Sequence, residues 1–133
     1  MEWSAVEISL CQSIATRYWR RLKTPDFYWD QDLMMALPWV DIMEGSKRPK
    51  PMNTWPLWTT DDALAWVKTA GHQFVSCYYF RKPERYEVYF TYGEWGRLVK
   101  TTEDSILTAM LRFIDNALKG EYDETEEKPE KKA

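Results

Sequence analysis

Gln73-Phe74-Val75-Ser76-Cys77-Tyr78-Tyr79-Phe80, Tyr86-Glu87-Val88-Tyr89-Phe90-Thr91 and Arg97-Leu98-Val99-Lys100 are three runs dense in aromatic and β-branched residues. Side chains of these types favour the pleated, half-buried surface of a strand. The polar stretch Arg81-Lys82-Pro83-Glu84-Arg85 separates the first two runs, and Tyr92-Gly93-Glu94-Trp95-Gly96 separates the last two with a pair of turn-forming glycines. The spacing predicts a three-stranded antiparallel sheet made of two successive hairpins.

Helical patterns flank these strands. Before them, Thr59 or Thr60 is placed to cap a helix with Asp61 and Asp62 in its first turn, where the helix dipole favours acids. Ala63, Leu64, Trp66, Val67 and Ala70 form its apolar side, and Gly71 is the expected left-handed C-cap. After them, Thr101 or Thr102 is expected to cap a final helix in which Ile106, Met110, Phe113 and Ile114 recur at helical spacing. Both helices can lie on one face of such a sheet, which would leave the opposite face bare. The unbroken apolar runs Tyr78-Tyr79-Phe80 and Val88-Tyr89-Phe90 suggest a sheet covered on both faces.

A further helix is available for the second face. Ser4 and Glu7 have the spacing of a capping box, and Val6, Leu10, Ile14, Tyr18 and Leu22 repeat every four residues. Arg17, Arg20, Arg21 and Lys23 suit a helix C-terminus, and Thr24-Pro25 stops the element, which predicts a helix over 4–23. Residues 25–58 are apolar but irregular. Asp30-Gln31-Asp32 could open a short helix over 31–37, ended by Pro38, and Pro49, Pro51 and Pro56 leave a basic loop around Lys47, Arg48 and Lys50. The expected fold is α+β, a three-stranded antiparallel sheet with helices on both faces (an α/β/α sandwich). Its expected order is α, short α or loop, α, β, β, β, α. Residues 1–120 are expected to form a single domain, and a homodimer burying the second face is the alternative to cover by helix 4–23.

The charged stretch 121–133 holds six acids and three bases, which accounts for the whole net charge of −3; it lacks an apolar period and reads as a disordered acidic tail. The neutral body lacks the basic excess of a dedicated duplex binder. No basic segment followed by an apolar one opens the chain, and no run of about 18 apolar residues occurs. The expectation is therefore a cytoplasmic protein with no membrane segment. Cys11 and Cys77 have no CxxC spacing and are expected as buried free thiols.

Chemistry-bearing residues are scarce: 8 Trp, 8 Tyr and 5 Phe stand against 1 His and 2 Cys. His72 has no nucleophile in a recognisable motif beside it, and reads as a helix-end residue. Asp61 with Asp62, and Glu103 with Asp104, are explained as helix-start charges, whereas Asp30 and Asp32 share a face only if extended. Gly93-Glu94-Trp95-Gly96 lacks the residues of a phosphate loop. No catalytic residue, metal ligand or cofactor site is expected, and the chain reads as a binding protein rather than an enzyme. Trp39, Trp55, Trp58 and Trp95 fall in loops and are the candidate anchors for a protein partner, because Trp is a common interface hot spot. Lys47, Arg48 and Lys50, and Arg81, Lys82 and Arg85 with Tyr79, are the candidates for single-stranded nucleic acid or a nucleotide, where bases stack on aromatics for ~1–3 kcal/mol each.

Two families share parts of this pattern. The order helix, three strands, helix is that of double-stranded RNA-binding domains, but Thr102-Glu103-Asp104 would repel phosphate where those domains grip it. Trp58-Thr59-Thr60-Asp61-Asp62-Ala63, the strand Tyr86-Glu87-Val88-Tyr89-Phe90 and the segment Thr101–Leu118 resemble the phage ABA sandwich domains of small phage and prophage proteins. The resemblance covers residues 55–118, about half of the chain. It implies a layered fold and a phage-type origin, and supplies no catalytic residues. Together with the aromatic excess it leads to the expectation of a phage accessory protein in the host cytoplasm. Such a protein would act stoichiometrically on a protein partner such as a host defence complex.

Overall fold

The computed structural model describes residues 2–18, 27–38, 54–94 and 96–124. The chain is α+β and divides into two compact units, Met1–Thr59 and Thr60–Ala133. Each unit contains a three-stranded antiparallel sheet.

In the first unit, helix α1 (Ala5–Tyr18) opens with the capping box expected from its sequence. The Glu7 amide donates to Ser4 Oγ at 3.1 Å, and the Ser4 amide donates to Glu7 Oε1 at 2.9 Å. Two of the backbone N–H groups left over at a helix start are thereby satisfied. Strands β1 (Phe27–Asp30), β2 (Met35–Pro38) and β3 (Thr54–Leu57) form a sheet in the order β2-β1-β3. The short helix expected over 31–37 is thus replaced by a turn and a strand. The reason lies in Asp30: its carboxylate accepts the amides of Asp32 at 2.9 Å and Leu33 at 3.2 Å, which folds the chain back as an Asx turn.

The register sets Phe27 beside Leu57 and Trp29 beside Trp55. Trp55 donates its indole N–H to the Ile8 carbonyl at 3.1 Å, and Trp3 donates to the Trp58 carbonyl at 2.7 Å while its ring lies 5.4 Å from that of Phe27. Helix α1 therefore finds its cover on the sheet of its own unit, with Leu10, Cys11 and Ile14 buried together with Leu57 and Trp58. The sequence had offered no sheet in this region to receive its stripe.

The second unit begins with helix α2 (Thr60–Thr69), which ends in a Schellman motif. The His72 amide donates to the Val67 carbonyl at 2.9 Å and the Gly71 amide to Lys68 at 3.1 Å, with Gly71 at φ 91°. Strands β4 (Gln73–Arg81), β5 (Glu84–Tyr92) and β6 (Arg97–Glu103) follow as two hairpins in the order β4-β5-β6. Helix α3 (Ile106–Leu118) and the four-residue α4 (Glu121–Glu124) complete the described chain.

The last long helix starts later than Thr101 or Thr102. Strand β6 continues through both threonines to Glu103, and Ser105 is the cap, its hydroxyl accepting the Thr108 amide at 3.0 Å. Thr101 instead donates its hydroxyl to the Ala109 carbonyl at 3.3 Å. The first residues of the charged tail are also structured. Tyr122 in α4 lies 5.4 Å from Phe113 and 5.3 Å from Tyr92, and its carbonyl accepts from the Arg97 guanidinium. Residues 125–133 lie outside the described residues.

Helices α2 and α3 pack on one face of this sheet. Val88, Phe90, Val99 and Thr101 point into that core, and the Phe90 and Phe113 rings stack at 4.1 Å and 9°. Burying a side chain of this size stabilises the fold by about 1.5–3 kcal/mol.

Candidate functional site

Alternation along the strands places Tyr78, Phe80, Tyr89, Leu98 and Lys100 on the face opposite the helices. That face is open. Val75 is 49% exposed, Tyr78 54% and Leu98 61%. At Tyr78, Phe80 and Leu98 the cover expected on this second face is absent among the described residues, and the apolar run Tyr78-Tyr79-Phe80 is exposed at the end of a hairpin.

Every residue from Tyr78 to Glu84 is exposed, on strand and turn alike. Tyr78 and Tyr89 meet edge to face at 5.7 Å on the open surface. On the other side of the hairpin Tyr79 meets Tyr86 at 5.0 Å. The Tyr79 hydroxyl is pushed above its usual range by desolvation, then by the nearby charge of Glu84 and by Tyr86. The Arg85 guanidinium sits 4.3 Å from the centre of the Phe80 ring, a cation–π contact, and 3.8 Å from the Glu87 carboxylate. The same face carries Arg85, Glu87, Thr91, Lys100 and Thr102, so it is a mixed surface in which exposed aromatic rings lie beside charges, the composition of an interaction surface rather than of a core.

The residues expected to act as anchors divide. Trp55 and Trp58, at 6% and 2% exposure, are core residues of the first unit and not surface anchors. Their flanking prolines disguise a buried strand as a loop. Trp39 and Trp95 lie outside the described residues, as do Lys47, Arg48 and Lys50. Arg81, Lys82 and Arg85 are brought together with Tyr79 on the β4–β5 hairpin. Acids accompany them: Arg81 is opposite Glu84 in the ladder, Arg85 pairs with Glu87, and Tyr86 is opposite Glu103. A separate apolar tip, Leu33, Met34 and Met35, stands exposed at the β1–β2 turn of the first unit, with Met34 at φ 54°.

Among the described residues no group of three or more His, Cys, Asp or Glu side chains could hold a metal ion. Neither cysteine forms a disulfide; Cys11 is buried, and Cys77 is only half-buried in β4, its thiol pushed up by desolvation. No described helix is long and apolar enough to cross a membrane. No protein-family description, curated protein or solved structure matches the chain.

Proposed function

We propose that the chain is a stoichiometric, non-catalytic binding protein that engages a protein partner through the open face of its second sheet. The observation that carries this is the half-exposed Tyr78 packed on Tyr89, on the face that also carries Phe80 and Leu98. Large, rigid aromatic side chains supply contact area at small entropic cost, which suits an anchor at an interface. The resemblance to phage ABA sandwich domains supports the setting we propose for it, a phage-type accessory protein acting on a host protein such as a defence complex in the host cytoplasm. In that reading the helices form one layer against the second sheet, and the partner supplies the other.

The charge pattern favours this reading over single-stranded nucleic acid, because the three bases Arg81, Lys82 and Arg85 stand beside the two acids Glu84 and Glu87. Arg81 and Arg85 are matched by Glu84 and Glu87, so few phosphates would be neutralised and the salt-sensitive drive for binding would be small. Fluorescence anisotropy with a labelled single-stranded oligonucleotide is expected to show no binding even at low salt; tight, salt-sensitive binding would favour the nucleic-acid reading instead. Affinity capture from bacterial lysate with the wild-type chain and with Leu98→Lys tests the protein reading. A partner held in stoichiometric amount by the former and lost by the latter supports it. Equal retention by both sinks this face as the binding surface.

A further inference from the structure

We infer that strand β4 pairs with the β4 of a second copy of this chain, antiparallel and centred on Tyr78. Among the described residues β4 is an edge strand, its partner β5 lying on one side only. From Gln73 to Phe80 it carries no charge, no proline and no glycine. Folded proteins usually blunt such an edge with charge, proline, a bulge or a covering element. The opposite edge, β6, is protected in this way by Arg97, Lys100 and Glu103. On β4 the sole irregularity is the bulge between Phe74 and Ser76, which leaves Ser76–Arg81 as a regular length of strand.

This length is self-complementary. With a two-fold axis at Tyr78, Cys77 falls opposite the copy's Tyr79 on one face and Ser76 opposite its Phe80 on the other. Tyr79 and Phe80 therefore each meet a small side chain, and the two Tyr78 rings meet each other at the axis. The strand's single charge, Arg81, moves to the ends of the pairing, opposite Val75. The two Arg81 side chains are then separated by six residue steps, about 20 Å, which exceeds the screening length of ~8 Å at physiological salt, so they repel little. The half-exposed Tyr78, Tyr79 and Phe80 are the apolar surface such pairing would cover. Three rings at about half of ~200 Å² each fall short of the ~800 Å² per partner of a standard interface, so the dimer is reversible and depends on concentration. Pairing at the edge covers part of Tyr78 and Phe80, leaves Tyr89, Leu98 and Lys100 of the open face free, and joins both copies' sheets into one surface.

This inference shares Tyr78 with the partner reading, but Leu98 belongs to the latter alone, and sedimentation of the full chain over a wide concentration range tests it. Expected is a monomer–dimer equilibrium that Tyr78→Lys, which sets two like charges on the axis, weakens at least tenfold, and that Leu98→Lys leaves unchanged. A wild-type chain that stays monomeric throughout overturns it, and so does a dimer equally weakened by Leu98→Lys. Register is tested separately with Tyr78→Cys, Cys77→Ser under mild oxidation. Paired Cβ atoms across an antiparallel ladder are close enough for a disulfide, so a covalent dimer is expected. Its absence, while circular dichroism shows the variant folded, overturns the Tyr78-centred register.

Discussion

The imidazole of His72 lies on the ring of Tyr92 at 4.6 Å and 16°, while its Nδ1 accepts the amide N–H of Gly93 at 3.0 Å. Phe113 meets the same imidazole edge-on at 5.6 Å and Trp66 lies 5.5 Å away. His72 is thus the joint between the end of α2, the β5–β6 turn and α3, a structural role for the only histidine in the chain.

That joint separates two contributions. His72→Phe keeps an aromatic ring in the stack but leaves the Gly93 amide without its acceptor. It is expected to cost about 1 kcal/mol, the usual net worth of one hydrogen bond. His72→Ala removes the ring as well and is expected to cost about 2–3 kcal/mol. Urea unfolding of the two variants checks the order; equal losses would mean that the stacked ring contributes nothing beyond the hydrogen bond.

Tyr122 gives a prediction in the alkaline range. Burial pushes its phenol above the usual tyrosine value, an effect that Glu121 reinforces and that the Asn116 side chain and Arg97 oppose. A folded-state value above the unfolded one means that the folded state holds its proton longer. The stabilisation is therefore complete below the unfolded value of about 10 and is lost as pH rises through and beyond it. Tyrosinate absorbance of the wild type should show a late-ionising component that Tyr122→Phe lacks, and the stability of Tyr122→Phe should fall less steeply above pH ~10.

How legible these features were in the sequence depended on how local their causes are. The two hairpins of the second sheet rest on turn residues and aromatic runs beside them, and the Ser4–Glu7 cap rests on residues three apart; both could be read directly. The first sheet could not, because β1 and β3 are joined only through a long proline-containing stretch. Asp30-Gln31-Asp32 also serves a helix start and an Asx turn equally well. Pro56 looked like a break but sits on β3, an edge strand of its sheet, where a missing N–H is tolerated. The open face was misread because Tyr78, Tyr79 and Phe80 run together, as they would in a strand covered on both sides. In the structure they belong to a hairpin end that projects into solvent.

The helix caps test the same distinction between local signal and actual placement. Ser4→Ala and Ser105→Ala each remove an acceptor for a helix-start amide, Glu7 in one case and Thr108 in the other. Each is expected to cost about 1 kcal/mol. Thr102→Ala, at an exposed position in β6, should stay within about 0.5 kcal/mol of wild type. A larger loss for Thr102→Ala than for Ser105→Ala in thermal unfolding would return the cap to the threonine.

Trp55 and Trp58 give opposite forecasts for one chemical change. Both are buried, but the Trp55 indole N–H has the Ile8 carbonyl as acceptor, whereas the Trp58 indole N–H has no hydrogen-bond partner among the described residues. Replacing Trp55 by Phe removes this hydrogen bond, worth about 1 kcal/mol, together with ring volume from the core, so a loss of about 2 kcal/mol is expected. Replacing Trp58 by Phe also removes volume but relieves an unpaired buried donor, whose desolvation costs about 1–3 kcal/mol, and the two effects offset each other. Trp58→Phe is therefore expected to lie within about 1 kcal/mol of wild type in urea unfolding followed by tryptophan fluorescence. Trp55→Ala and Trp58→Ala should each lose about 3–5 kcal/mol, as deletions from a core do. If either alanine variant keeps wild-type stability, that tryptophan stands on the surface and returns to the set of candidate anchors.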